Sequence, residues 1–332
     1  MAHELVKMAD GTWSMARATN TAESWHGLEN IVDPNNFDAW FDRSGMNFTI
    51  ERSRVEFDTG MDTIGVMPDK HVLYRSDTLQ PLSVVSDGYK VVQPRQVLEF
   101  FRDLCEKNHL KMDTAGVIQN GVKFWAMAST GEQLSVGHND IIKQYILLAT
   151  SADYSMATIA KHTNHRVVCS NTFHASISNG EEAVRIRHSK MFDETEVKLD
   201  LGLLAEDFTH MGRYAKELNN IPVSVNMAVH WIAELLEDRI LLADEVEDVV
   251  KSSRVFKKFW RGYTNGPGAN ETLWGLFNGV TYTVDHVNGR SLDTRMNSAW
   301  FGAGNTLKER AWAKAIEVIN GAKQQSTLLL AA

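Results

Sequence analysis

Apolar and polar positions alternate through Thr114 to Ser129 (TAGVIQNGVKFWAMAS), and the alternation breaks at Asn120-Gly121. That dipeptide supplies the positive φ a type I′ turn needs at its two central residues, so the stretch predicts a β-hairpin. Val122, Phe124, Ala126 and Ala128 fall on one face and Lys123, Trp125 and Met127 on the other. The first face reads as core; Trp125 marks the second as more than a solvated surface. Pro81 to Val92 (PLSVVSDGYKVV) repeats the arrangement around Asp87-Gly88 and predicts another hairpin. Between the two the period changes: after Pro94, Val97, Phe100, Phe101, Leu104 and Cys105 recur at helical spacing. Further on, IIKQYILLATS and YSMATIAKHTNHRVV read as two strands meeting at Ala152-Asp153. Ser170, Asn171 and Thr172 are all good N-cap residues, and they predict a helix start just before FHASIS.

From about Leu199 the pattern is mainly helical, with apolar residues recurring through SVNMAVHWIAELLEDRILLADEVEDVV and acids on the far side. Thr306 to Glu309 fits a capping box for a last helix whose stripe is Leu307, Ala311, Ala315 and Val318. Gly262 to Asn270 (GYTNGPGAN) predicts a loop or hinge. The order hairpin, helix, hairpin, strand, strand, helix predicts an α+β fold. Its antiparallel β-sheet is built from hairpins with helices packed on one face, and a mainly helical C-terminal region follows. The expected divisions are an N-terminal extension over 1–70, an α+β core over 71–198 and a helical region over 199–332 packed on that core.

Composition narrows the class. With 332 residues, 43% hydrophobic and 23% charged, the chain has the make-up of a soluble globular protein. No apolar run approaches the roughly 18 to 20 residues needed to cross a bilayer, and the opening 24 residues lack the pattern of a secretory signal. The expectation is a cytoplasmic protein with Cys105 and Cys169 as reduced thiols, Cys105 lying buried on the apolar face of its helix.

The formal charge of −8 argues against a protein that coats nucleic acid with its whole surface. The charge is uneven, however. Residues 1–100 carry 9 Lys/Arg against 15 Asp/Glu, whereas Val249 to Asn270 holds five basic residues and no acid. A local cationic surface on an acidic protein follows from that distribution.

Candidate chemistry is restricted by what the motifs lack. There is no GxxxxGK[ST] and no GxGxxG after a strand, which disfavours an ATPase or a dehydrogenase; the glycines of FGAGNTLKER read as loop residues. His162, His165, Cys169 and His174 are the right ligand types for zinc. In a strand, however, positions 162 and 165 point to opposite faces, so no metal site is expected from them alone. The nucleic-acid reading rests on KSSRVFKKFWRGY (Lys251 to Tyr263), where Lys251, Arg254, Lys257, Lys258 and Arg261 interleave with Phe256, Phe259, Trp260 and Tyr263. Cations neutralise phosphates while ring faces accept unstacked bases. A second basic set comprises Lys161, His162, His165 and Arg166, then Arg185, Arg187, His188 and Lys190 in VRIRHSK.

At these residues a resemblance is visible. SWHGL, VLYRSDTLQPLSVVSDGYKVVQPRQVLEFF, TAGVIQNGVKFWAMA, YILLATSADYSMATIAKHTNHRVVCSNTF, RIRHSK and NSAWFGAGNTLKERAW together resemble the phage/plasmid-like protein family, a domain of unknown function carried by phages and plasmids. Tyr154 departs from the pattern, standing where a glycine turn residue is expected. More distantly, the hairpin, strand, strand, helix core is similar to single-strand annealing recombinases of the Redβ and Erf type. That likeness implies a ring or filament holding one strand in a basic groove.

The reading that follows is an ATP-independent protein that binds and anneals single-stranded DNA in phage recombination or replication, with no cofactor, metal or catalytic residue. It works as a homo-oligomer in the bacterial cytoplasm, off the membrane, with a phage or host single-strand binding protein as a further partner. Lys161, His165, Arg166, Arg185, Arg187, Lys257, Lys258 and Arg261 are the expected phosphate contacts. Trp125, Phe259 and Trp260 are the stacking candidates, and Asn171 and Thr172 offer N–H groups at the strand-to-helix junction. The alternatives are an interaction protein that modulates a host factor through the acidic N-terminal third, and a metal-dependent hydrolase using His162, His165 and Cys169.

Overall fold

The computed structural model describes residues 14–18, 30–108, 110–137, 140–166, 171–173, 183–203, 207–266, 269–289 and 292–330. The chain forms two compact units, Met1–Gly131 with Tyr145–His162 and Glu181–Ala205, and Glu132–Gln144 with Thr163–Gly180 and Glu206–Ala332. The fold is α+β, and its C-terminal region is mainly helical.

The elements that build the first unit begin with β1 (Met15–Ala18), β2 (Ile31–Val32), α1 (Phe37–Arg43), β3 (Ile50–Asp58), β4 (Ile64–Arg75), β5 (Pro81–Ser86) and α2 (Pro94–Asn108). They continue with β6 (Lys111–Ile118), β7 (Lys123–Gly137), β8 (Asp140–Ser151), β9 (Thr158–Arg166), β11 (Val184–Ile186) and α3 (Glu194–Leu203); β7, β8 and β9 run on into residues of the second unit, and β10 (Asn171–Phe173), between β9 and β11 in the chain, lies wholly in that unit. The main sheet has the order β10-β9-β8-β7-β6-β1-β2, with β11 also on β9, and β3-β4-β5 form a separate sheet. β1 and β2 pair in parallel, whereas β1–β6 and β6–β7 are antiparallel.

The β6–β7 hairpin forms at Asn120-Gly121, as the alternation predicts, with Ala115 opposite Ala126 and Val117 opposite Phe124. Its turn is wider than two residues: Gln119, Asn120 and Gly121 all take positive φ. Phe124, Ala126 and Ala128 join a core shared with Trp40, Phe100 and Phe101, and Trp125 on the opposite face is fully buried as well. The helical spacing after Pro94 becomes α2, whose Val97, Leu98, Phe100, Phe101 and Leu104 enter that core. Cys105 packs against it, and burial pushes its thiol up to about 11, which leaves it a protonated, structural side chain at neutral pH.

The Asp87-Gly88 hairpin does not form. β5 pairs with β4, placing Val85 opposite His71, and neither Asp87 nor Gly88 takes a positive φ. The residues after the turn have other partners. Tyr89 is buried and donates its hydroxyl to the Ser151 carbonyl at 2.7 Å, and the Lys90 N–H donates to the His188 carbonyl at 2.5 Å. Tertiary packing thus overrides a good local turn signal. The helix start at Asn171 is also corrected, because Asn171, Thr172 and Phe173 form β10 and lie antiparallel to Arg166, His165 and Asn164 of β9. Residues 174–182, which hold the rest of FHASIS, lie outside the described residues. At the β8–β9 turn Tyr154 takes the left-handed φ of 62° that a glycine would adopt freely. Its hydroxyl meets Ser86 Oγ at 2.8 Å and its ring stands edge-on to Tyr89, contacts that offset the backbone cost.

The second unit contains α4 (Asp207–Asn219), α5 (Val225–Glu237), α6 (Ala243–Ser252), α7 (Arg254–Asn265), α8 (Leu273–Tyr282), α9 (Leu292–Phe301) and α10 (Ala303–Leu330). α8 is buried from Leu273 through Thr281, matching its apolar sequence, and its Trp274 Nε1 donates to Asp140 Oδ2 at 2.7 Å. α10 begins three residues before Thr306, so the capping box is not used: Thr306 N–H donates to the Gly302 carbonyl inside the helix. Ala311 and Ala315 of the expected stripe are buried, in company with Trp312 and Ile319. Among the described residues no helix is long and apolar enough to cross a membrane.

Candidate nucleic-acid interface

The basic and aromatic run of the sequence becomes α7. Ser253 starts it, its side chain accepting the Phe256 N–H at 3.1 Å, a standard N-cap. Phe256, Phe259, Gly262 and Tyr263, spaced three, three and one apart, are buried. Arg254, Lys257, Lys258 and Arg261 lie on the opposite face and are exposed. The same periodicity that buries the rings therefore gathers the charges.

α7 rests on α8 through glycines. A Cβ at Gly262 would fall on the Thr283 hydroxyl and 2.7 Å from the Gly279 carbonyl, and one at Gly279 would come within 2.8 Å of the Tyr263 nitrogen. The two backbones are thus in direct contact. After α8 the chain makes a π-helical turn over Thr283–Val287, and its Asp285 is buried against Lys308 of α10 at 2.8 Å.

Between α7 and this turn lies a cleft of about 410 Å³. All four exposed cations of α7 line it, joined by Gly262 and Asn265 from the same helix and by Tyr282 and Val287 across from them. Among the described residues no carboxylate belongs to the lining. Lys251, one turn before α7, is neutralised by Glu247 at 2.6 Å, and among the described residues no such pair is formed by Arg254, Lys257, Lys258 or Arg261. Burial, with Glu271 nearby, pushes the Tyr263 phenol above its ordinary value, so it adds no negative charge. Four positive charges facing one concavity, with an aromatic ring on its far wall, attract a phosphate-bearing ligand.

The other expected contacts are distributed differently. Lys161 is buried in β9. Arg185 and Arg187 are exposed in the first unit, but Arg185 and Lys190 share a cleft with Asp193, Glu196 and Asp200, so that surface neutralises itself. His165, Arg166, Asn171 and Thr172 are placed by backbone pairing alone, and because 171 and 172 are in a strand they form no helix N-terminus. Trp125 and Phe259 are core residues, at 0% and 1% exposure, and offer no ring face to a base. Trp260 is half-buried and lies parallel to Phe256, so it remains the one stacking candidate of the three on the surface. Sequence reasoning missed Asn265, Tyr282 and Val287. The sequence signal for the last two is slight: the largely apolar run LWGLFNGV, Leu273 to Val280, stops just before Tyr282.

The histidine and cysteine cluster gathers no ligands in view. His162 directs Nε2 at the Leu201 carbonyl at 3.1 Å, and His188 holds its ring nitrogens 3.2 Å from the Lys90 carbonyl and 3.1 Å from that of Met156. Cys169, His174 and His138 lie outside the described residues. Among the described residues no three His, Cys, Asp or Glu side chains are grouped to hold a metal ion.

A protein-family profile described as a domain of unknown function (DUF932) matches residues 81–312, a span that includes α2, the main-sheet strands β6 to β11 and the whole of the α7 cleft. No curated protein and no solved structure matches the chain.

Proposed function

This chain belongs to the family described as a domain of unknown function, DUF932, and since that description assigns no activity, we propose from the α7 cleft that the protein binds single-stranded DNA and promotes its annealing without ATP. The observation that carries the reading is the convergence of Arg254, Lys257, Lys258 and Arg261 on one cleft with no acid among the described residues of its lining. Phosphate neutralisation supplies the affinity, and it needs no base-specific group. Tyr282 on the cleft wall and half-buried Trp260 on α7 are the candidates for stacking on unpaired bases. The resemblance of the RVVCSNT and VVQP segments to phage- and plasmid-borne proteins supports a role in a mobile element, working in the bacterial cytoplasm. A hydrolase built on His162, His165 and Cys169 draws no comparable support from the described residues.

The test is a fluorescence-anisotropy titration of a labelled single-stranded oligonucleotide at several salt concentrations. Four phosphate contacts correspond to a log affinity against log salt slope of about −3. K257E/K258E should abolish binding at moderate salt. An oligonucleotide left unbound by micromolar wild-type protein at low salt would refute the proposal.

A further inference from the structure

The β3–β4 hairpin has a distal part that no other described residue of the first unit pairs with. Pairing with β5 reaches only from Lys70 to Tyr74, and the ladder slips at Arg54/Val55. Beyond that irregularity only four pairs remain, from Val55 opposite Met67 to Asp58 opposite Ile64. Cross-strand partners share a face, so Val55, Phe57, Gly65 and Met67 lie on one side and Glu56, Asp58, Ile64 and Val66 on the other. The Phe57 ring lies across Gly65, where any Cβ would collide with it. Even so, Phe57 is 50% exposed and Ile64 69%. A bare two-stranded ribbon is marginal in water, and apolar groups open on both faces mark a surface that binds something.

Its charge says what kind of partner. From Val55 to Met67 the chain carries Glu56, Asp58 and Asp62 and no lysine or arginine. Two such arms laid against each other would bring like charges together, so a symmetric arm-to-arm contact is disfavoured. The complementary surface is a cationic one with apolar groups among the charges, and the α7 cleft is of that kind. Its four cations make no ion pair among the described residues, Val287 lines it, and the neighbouring Val255 is half-exposed.

We infer that the acidic arm at Val55–Met67 docks in the α7 cleft of a second copy of this chain. The contact is head-to-tail, so repeating it closes a ring or extends a filament. It does not rest on the DNA reading but draws on the same cations, so in the free protein the arm competes with any polyanion for the cleft.

The full-length chain is examined by sedimentation velocity at low and at high salt, alone and with a single-stranded oligonucleotide. Wild type is expected to self-associate at low salt and to dissociate at high salt or when the oligonucleotide binds. E56K/D58K and K257E/K258E should each be monomeric, and their equimolar mixture should form a heterodimer, because the reversed arm fits the reversed cleft. Both pairs are solvent-exposed, and melting curves equal to wild type confirm that the variants fold. Monomeric wild type at tens of micromolar, variants that associate like wild type, or a mixture that stays monomeric overturns the inference. The oligonucleotide titration of E56K/D58K, whose cleft is intact, separates the two readings. Tight binding without wild-type self-association removes the arm and leaves the DNA proposal, whereas self-association without DNA binding does the reverse.

Discussion

The Lys308 ammonium lies 2.8 Å from Asp285 Oδ1, with both side chains sealed from solvent at 2% and 0% exposure. Removing one partner takes the 2.8 Å counter-ion from a buried charge, which costs about 3 to 5 kcal/mol. Lys308→Met and Asp285→Asn should therefore each lower the melting temperature by upwards of about 6 °C, judged by the usual size scaling for a unit of this length. The double variant Lys308→Met with Asp285→Leu should recover most of the loss. Circular dichroism melts of the three variants decide it, and a single variant melting like wild type would show that the pair contributes nothing.

The contact of α7 with α8 has no room for a methyl group at Gly262. Overpacking of this kind costs about 1 to 3 kcal/mol. Gly262→Ala should lower the urea midpoint and, by displacing α7, also weaken oligonucleotide binding although no charge has changed. Gly60→Ala is not a fair control because Gly60 has a positive φ, whereas Gly88→Ala, where the space is open, is one. It should leave binding unaltered.

Acid sensitivity follows from Asp77. Hydrogen bonding from the Arg75 guanidinium, at 2.7 and 2.9 Å, holds its carboxyl below the ordinary carboxylate value. A depressed folded-state value means the stabilisation is fully present above the unfolded value, near about pH 4, and is lost as pH falls through the folded one. Asp77 is more than a third open to solvent, so the effect at neutral pH is under about 1 kcal/mol. Urea midpoints of wild type and Asp77→Asn should differ at pH 7 and converge as the pH falls below the ordinary carboxylate range. Curves that stay parallel across that range would mean the ion pair is not the cause.

Much of the fold is legible in the sequence. The period-two alternation around Asn120-Gly121 and the helical spacing after Pro94 each gave a correct element, because in both cases local preference and burial agree. At Asp87-Gly88 they disagree: the turn residues favour a tight hairpin, but Tyr89 and Lys90 have partners more than sixty residues away, and such partners leave no local trace. Charge on α7 was legible, since a basic helix face appears in the spacing itself. Which aromatics stay on the surface was not legible. Phe259 and Trp260 are adjacent and chemically alike, and only the rotation of α7 about its axis decides that the first is core and the second half-exposed. Tyr282 and Val287 were invisible because they reach the cleft from a different part of the chain.

Those two residues also say something about how the cleft tolerates change. They are five positions apart, and in an α-helix that interval sets side chains about 140° apart, on different faces. They face the same cleft because Thr283–Val287 is a π turn, in which Asn288 N–H reaches back five residues to the Thr283 carbonyl. The turn amounts to one residue inserted into an otherwise ordinary helix. A one-residue deletion there would restore α-helical phase, keep every cation of α7, and rotate one wall of the cleft out of place. The shape of this site is therefore set by chain length as much as by residue type, and charge-preserving changes can still remove it.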